Sequence, residues 1–337
     1  MTNNTPILLF GSADFPVPTF EYLIKEGYNV KGIVTSKDKL MFYNKSVKDI
    51  AAEYNIPFII CKDTNSDELY NWIKDLGEID YFVVISYKIL HERILSLSKY
   101  AFNVHASLLP FLRGANPIHW ALRLGFEKTG LTSFHLSNKC DQGNIIDSIS
   151  TDIVDDDNFE TLYRRLSEMC VLFTVKTLYL AKRISIPQPY IPKQIIKKNS
   201  VLDMVNDVIN APKLTHFLHT YGSWHSLHED VLYNEIRALL PVHGIRVFIE
   251  SNMKFINLKI WDCDVEKLDY NISRDYISTD NKTFFTIYTP HLKVDVKEVQ
   301  EDGKKRLKIN DWLNGKPQLK SGCKVPFLHE VPTEMAQ

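Results

Sequence analysis

The sequence predicts an open, mostly parallel α/β sheet with helices on both faces, followed by a small barrel-like β domain. Three observations predict it. Short apolar runs alternate with helical spacing through the first half of the chain. A proline-rich stretch, Ile186-Pro187-Gln188-Pro189-Tyr190-Ile191-Pro192, then breaks the pattern, because such a run cannot be helical. Beyond about Val231 the runs become short, β-rich and separated by turn residues.

The elements follow in order. Ile7 to Phe10 reads as a buried strand, ended by a Gly-Ser turn. Pro18 to Lys25 has helical spacing, Val30 to Thr35 is the next strand, and Ser46 to Tyr54 the next helix. Phe58 to Ile60, Tyr81 to Ile85 and Phe102 to Val104 are further strands, separated by helical stretches at Asp67 to Leu76 and Arg93 to Leu97. Pro117 to Leu124 suits a short helix, and Phe159 to Ala181 a long one. In the second half, Val231 to Leu240 reads as helix. Arg246 to Ile249, Phe255 to Trp261, Thr283 to Thr289, Leu292 to Val299 and Arg306 to Ile309 read as strands. Ligands of open sheets bind beyond the carboxyl ends of the strands, which directs attention to the residues after Phe10, Ile85 and Val104.

Composition narrows the function classes. The chain has 337 residues and a formal net charge of −1. Up to Ser200 there are 23 basic and 22 acidic residues, and beyond it 17 and 19, so neither half carries a broad electrostatic footprint for nucleic acid. The five cysteines, Cys61, Cys140, Cys170, Cys263 and Cys323, are scattered and never form C-x-x-C, which fits a reducing compartment better than a disulfide framework or zinc site. The first apolar run is too short for a signal peptide, and no run is long enough to span a membrane. The expected location is the cytoplasm, with no membrane partner.

One constellation carries chemistry. Phe102-Asn103-Val104-His105-Ala106-Ser107-Leu108-Leu109-Pro110 is followed by Arg113-Gly114-Ala115-Asn116-Pro117, then Thr129-Gly130-Leu131-Thr132, then Cys140-Asp141-Gln142-Gly143. Asn103 and His105 are two apart at a predicted strand end, so they share a face. An amide and a cationic imidazole can stabilise the oxyanion of acyl transfer, and a carboxylate such as Asp141 can orient the imidazole or move a proton. On residue types alone, Asn103 and His105 also suit satisfied polar groups at a sheet end, and Asp141 a glycine turn.

In order and wording these motifs resemble the 10-formyltetrahydrofolate-dependent formyltransferase family. The family carries Asn-x-His, Ser-Leu-Leu-Pro, Arg-Gly and Thr-Gly-x-Thr, then an Asp as far beyond the His as Asp141 lies beyond His105. Gly11-Ser12-Ala13-Asp14-Phe15 and the wording of the second half, Ile236-Arg237-Ala238 and Asp311-Trp312-Leu313-Asn314-Gly315 among it, resemble the methionyl-tRNA formyltransferase branch. The resemblance implies a Rossmann-like formyltransferase fold with an OB-like second domain. It implies a catalytic domain over 1–186, a linker over 187–210, the OB-like domain over 211–325 and a tail over 326–337. It implies 10-formyltetrahydrofolate as co-substrate, no metal, and Asn103, His105 and Asp141 as catalytic residues. Folate is expected against Ile85, Ser86, Tyr87, Ile89 and Leu90, with Ser107, Leu108, Leu109 and Pro110 as the other wall. Ser12, Phe15, Arg113, Lys304, Lys305 and Arg306 are the residues expected to bind the acceptor. That acceptor is initiator methionyl-tRNA or, alternatively, the amino sugar of a nucleotide-linked sugar.

Two departures keep the alternative open. The segment after the second strand is shorter than in the tRNA enzymes and lacks their glycine-flanked arginine, and Asn116 replaces an alanine. Lys304, Lys305, Arg306 and Lys308, like Lys193, Lys197 and Lys198, suit either phosphate contacts or a solvated surface. His216, His219, His225 and His228 crowd one stretch, but no cysteine or glutamate completes a zinc spacing. Trp120 is expected in a helix core, and Cys140, without a paired base, is not expected to be a nucleophile.

Overall fold

The computed structural model describes residues 4–36, 40–189, 210–211, 229–251, 254–269, 275–316 and 319. The lysines at 193, 197 and 198, the four clustered histidines and the tail lie outside these. The chain divides into two compact units. One holds residues 1–121, 127–156 and 160–211, and the other holds 122–126, 157–159 and 212–337.

In the first unit the predicted alternation is realised as strands β1 (Ile7–Gly11), β2 (Val30–Thr35), β3 (Phe58–Ile60), β4 (Ile79–Ile85) and β5 (Ser98–His105). A short β6 (Arg113–Gly114) comes next, then β7 (Lys128–His135) and β8 (Ile145–Asp152), and a short β9 (Asn210–Ala211) pairs in parallel with β6. Seven of them form one sheet in the order β3-β2-β1-β4-β5-β7-β8. The first five are parallel, while β7 and β8 run antiparallel at one edge. Every residue of β1 is buried, as expected of a strand covered on both faces. The intervening helices are α1 (Val17–Lys25), α2 (Val47–Glu53), α3 (Asp67–Asp75), α4 (Glu92–Leu95), α5 (Pro117–Arg123) and α6 (Phe159–Leu180). α2 starts in a reciprocal cap: the Ser46 N–H donates to Asp49 Oδ2 at 2.8 Å and the Asp49 N–H to Ser46 Oγ at 3.2 Å. Trp120 of α5 is buried, as the sequence suggested.

Strand order reverses between β1 and β4, so their carboxyl ends frame the crevice where such sheets place ligands. Backbone and side chains knit this edge. The Ser12 N–H donates to the Ser86 carbonyl at 3.1 Å, and the Ser12 and Ser36 hydroxyls meet at 2.7 Å. Behind them Asp14, fully buried, accepts the backbone N–H groups of Met41, Phe42 and Tyr43 on Oδ2 at 2.6, 2.6 and 2.9 Å. Its Oδ1 accepts the Tyr163 hydroxyl at 2.5 Å. A buried carboxylate is tolerable when it is hydrogen-bonded this fully, and here it fixes the backbone of Met41, Phe42 and Tyr43 ahead of α2.

The second unit is antiparallel. It contains β10 (Ile245–Ser251), β11 (Lys254–Lys267), β12 (Tyr276–Thr279), β13 (Phe285–Tyr288), β14 (Leu292–Glu301) and β15 (Arg306–Lys308). They follow the order β10-β11-β14-β13-β12, with β15 on β14, and form a curled half-barrel. β11 is long enough to pair with β10 through its first half and with β14 through its second, and its register slips around Asp262, the kind of bulge that bends a strand. The inward residues alternate: Ile245, Val247 and Ile249 on β10, and Leu292, Val294 and Val296 on β14, are buried in one core. That core also takes Leu232, Ile236 and Leu239 of α7 (Glu229–Leu239) and Ile309, Trp312 and Leu313 of α8 (Ile309–Leu313). The strand Tyr276–Thr279 is absent from the sequence reading, because four residues bounded by charged turns give too little periodicity.

Candidate active site

Asn103 and His105 lie on β5, facing Phe134 and Thr132 of the antiparallel neighbour. His105 is buried. Its Nε2 lies 2.8 Å from the Leu112 carbonyl, an acceptor, so this nitrogen carries the proton. Nδ1 thereby carries the lone pair of the neutral ring, and it points toward Asp141, whose Oδ2 lies 3.8 Å away. That gap exceeds a hydrogen bond. Asp141 Oδ2 instead accepts the Gly114 N–H at 2.7 Å. Among the described residues the Asn103 amide has no hydrogen-bond partner, although the side chain is half-buried.

The loop carrying Asp141 is tightly specified. Asp141 itself sits at φ 50°, a left-handed conformation unusual for a residue other than glycine. A Cβ on Gly143 would lie 1.6 Å from the His135 carbonyl oxygen, so only glycine fits there. Gly130 is similar, since its Cβ would lie 2.0 Å from the Ile149 carbonyl oxygen and 2.8 Å from Leu108. Cys140 is exposed beside Asp141, and partial desolvation of its sulfur and then the carboxylate push the thiol up to about 11, which disfavours the thiolate that a nucleophile needs. Among the described residues, no cluster of His, Cys, Asp and Glu could hold a metal ion.

Thr132 ties the next loop to the sheet. Its hydroxyl donates to the Ser107 carbonyl at 2.7 Å and accepts the Leu109 N–H at 3.0 Å. The Ser107 hydroxyl closes the turn on the Phe111 carbonyl at 2.7 Å. Leu109 and Pro110 are buried behind a half-buried Leu108, so this turn is closely packed.

The formyl transferase profile matches residues 6–178, more than half of the chain, and the profile of the formyl transferase C-terminal domain matches residues 223–317. The chain belongs to the formyl transferase family. It is therefore a formyltransferase. Methionyl-tRNA formyltransferase of Parabacteroides distasonis is 29% identical over 324 residues, covering 93% of this chain and 96% of that one. The Bacillus licheniformis methionyl-tRNA formyltransferase is 31% identical over 329 residues, covering 95% and 98%. Among solved structures, the sugar 3N-formyl transferase WlaRD, crystallised with dTDP and 5-N-formyl-THF, superposes with a TM-score of 0.60 at 18% identity. That superposition covers 89% of this chain and 99% of WlaRD. At that identity it speaks for the fold.

Other residues that the family resemblance singled out fall into two groups. Ser86, at φ 56°, and Ile89 are exposed beyond the end of β4, where Ile85 is buried. Tyr87 turns inward, with its ring 5.5 Å from that of Phe10 and its hydroxyl on the Cys61 carbonyl at 3.1 Å, and Leu90 is buried in the same core. Phe15 is buried against Tyr163 with centroids 5.0 Å apart, and Ser12 is occupied with Ser36. Arg113, on β6, directs its guanidinium to Gln188. In the second unit Lys304 pairs with Glu301 and Arg306 with Glu298, while Lys305 is exposed.

The sequence reading missed two features. Gln188 reaches the Arg113 and Asp141 loops, although the proline-rich segment reads only as a linker. In the second unit, register aligns Arg246 with Lys259, Lys259 with Gln300, and Gln300 with Arg306, so three cations and an amide form one row across four strands. Beside the row, Trp261 has the Lys259 ammonium 4.3 Å and the Arg306 guanidinium 4.9 Å from its ring centroid. The alternation of Arg246-x-Phe248 and Lys259-x-Trp261 was legible, but pairing partners were not.

Proposed function

We propose that the enzyme transfers the formyl group of 10-formyltetrahydrofolate to the amino group of initiator methionyl-tRNA. The observation that carries the chemistry is the approach of His105 Nδ1 to Asp141 Oδ2, 3.8 Å apart at the carboxyl end of β5, with the ring held by Leu112 and Asn103 two residues back on the same strand. The acceptor rests on relatives of that activity matched along both units and nearly their whole length.

Each residue then has a task. The unpaired Asn103 amide donates to the formyl oxygen as the acceptor amine adds to the carbon. His105, protonated at Nδ1 while Nε2 stays on Leu112, stabilises the same developing charge. Asp141 faces that imidazolium and receives a proton from the attacking ammonium; as the tetrahedral intermediate collapses, the bond from the formyl carbon to N10 of the folate breaks, N10 takes up a proton and tetrahydrofolate leaves. The 3.8 Å between His105 and Asp141 shortens when reactants fill the crevice, because catalytic hydrogen bonds without substrate are often long. Folate lies against the exposed Ser86 and Ile89, with the Ser107–Pro110 turn opposite. Tyr87 and Leu90 act behind that surface, as its support.

One observation favours an amino sugar on a nucleotide instead. Carboxylates of β14 neutralise Lys304 and Arg306, which leaves that strand end poor in free charge for RNA. The assay is direct. Purified enzyme and 10-formyltetrahydrofolate are incubated with charged initiator methionyl-tRNA, or with amino-sugar nucleotides. Formylmethionyl-tRNA formed at catalytic rates supports the first reading, and formylation of the sugar alone replaces it.

A further inference from the structure

Gln188 lies in the segment that leaves α6, outside every catalytic motif, and the segment is bound back onto the sheet. The His135 ring donates to the Ile184 carbonyl at 2.8 Å, and the Asn144 amide donates to the Ser185 hydroxyl at 2.9 Å. Ile145 and Ile186 exchange both backbone hydrogen bonds, at 2.7 and 2.8 Å. These contacts deliver Gln188 between two loops that are remote from it in sequence.

There its amide is fully used. Oε1 accepts Arg113 Nε at 3.1 Å and Nη2 at 2.5 Å. Nε2 donates to the Asp141 carbonyl at 2.8 Å and the Gly143 carbonyl at 2.9 Å. A primary amide offers two donors and two acceptor lone pairs, and here all four have partners. Only one orientation works, since the guanidinium needs an acceptor and the carbonyls need donors.

We propose that Gln188 is a positioning residue of the formyl-transfer site, clamping the Asp141 loop to the Arg113–Gly114 strand. The inference rests on the functional reading above. Asp141 is held from both ends: its carboxylate by the Gly114 N–H, and its backbone through Gln188 to the residue beside that same glycine. Its left-handed backbone persists only where the surroundings enforce it. Gln188 acts through Asp141 and Arg113. A misplacement of about 1 Å at a reacting group can lower turnover about 100-fold.

Two substitutions separate the arms of the clamp. Gln188→Met removes both. Gln188→Glu keeps an acceptor for Arg113 but sets oxygen against the Asp141 and Gly143 carbonyls. Steady-state kinetics on the full chain, with whichever acceptor the wild type uses, should show kcat falling about 10- to 100-fold in both variants. KM for the folate should stay within about 2-fold and the melting temperature should barely move, a split that a general loss of folding does not give. Amide hydrogen exchange over residues 138–146 should quicken in both. Wild-type kcat and exchange in either variant overturn the clamp on Asp141, and a wild-type-like Gln188→Glu beside an impaired Gln188→Met reduces the role to holding Arg113. If the wild type formylates neither acceptor, the functional reading fails, while hydrogen exchange still decides whether Gln188 holds the loop.

Discussion

At the scale of single residues, the site's chemistry is set by which polar atoms are already satisfied. His105 Nε2 is committed to a carbonyl and Asp141 Oδ2 to a backbone N–H, while the Asn103 amide is uncommitted. A group without a partner in a half-buried position suits a charge that exists only during reaction, because it stabilises the transition state more than the ground state. Asn103→Ala should therefore lower kcat about 100- to 1,000-fold, the usual effect of removing one oxyanion donor, with little change in KM for the folate. Single-turnover formylation with the donor in excess measures this directly. A variant within a few-fold of wild type would leave His105 as the oxyanion's principal donor.

At the scale of elements, two carboxylates organise whole segments. Asp14 collects three backbone N–H groups and a tyrosine hydroxyl in a fully buried site. Asp14→Ala strands all four donors and should destabilise the protein by about 3 kcal/mol or more. Asp14→Asn should cost less, since its amide keeps one acceptor oxygen and can donate to the Tyr163 oxygen. Denaturant unfolding of both variants tests the ranking. In the second unit, burial alone would raise the Glu301 carboxyl, but hydrogen bonds from Lys304, Lys316 and Trp312 bring it down to about 2. Its folded pKa therefore lies below the unfolded one. The stabilisation is present above about pH 4.5 and fades as pH falls toward 2, with an upper limit of about 3 kcal/mol. Glu301→Gln should lower the melting temperature at neutral pH, and the two melting curves should converge near pH 2.

The same elements show what the sequence could reveal. Strands β1, β2 and β4 were legible because unbroken apolar runs ended by turns have one reading in an alternating pattern. Strand β7 was not read as a strand, because its buried positions include Thr129, Gly130, Thr132 and Ser133, polar or small residues held by neighbours the sequence does not reveal. The same limit divides the site. Asn103, His105 and Asp141 stood out through motif wording. Gln188 did not, because its role comes from a segment folding back across the antiparallel edge. Asp14 was visible as a motif letter, but its grip on Met41, Phe42 and Tyr43 required the fold.

At the scale of the whole molecule, the charge balance decides how a polyanion would bind. With a net charge of −1 the chain has little long-range attraction for RNA, so affinity must come from local cations. Among the described residues of the second unit, Arg246 and Lys259 stand aligned beside the Glu298-paired Arg306, and this row is not neutral in cost. Like charges directly opposite across strands are destabilising, and burial together with Arg246 lowers the Lys259 pKa. Among the described residues, neither Arg246 nor Lys259 has an ion-pair partner. If tRNA is the acceptor and this row meets its phosphates, Arg246→Gln with Lys259→Gln should weaken binding and reduce the slope of log affinity against log salt by about 2. The same double variant should be at least as stable as wild type, since it relieves the repulsion. A loss of affinity with an unchanged salt slope would mean that the row shapes the sheet rather than contacting phosphate. An unchanged affinity, with formylation of a sugar nucleotide intact, would place the acceptor entirely at the crevice of the first unit.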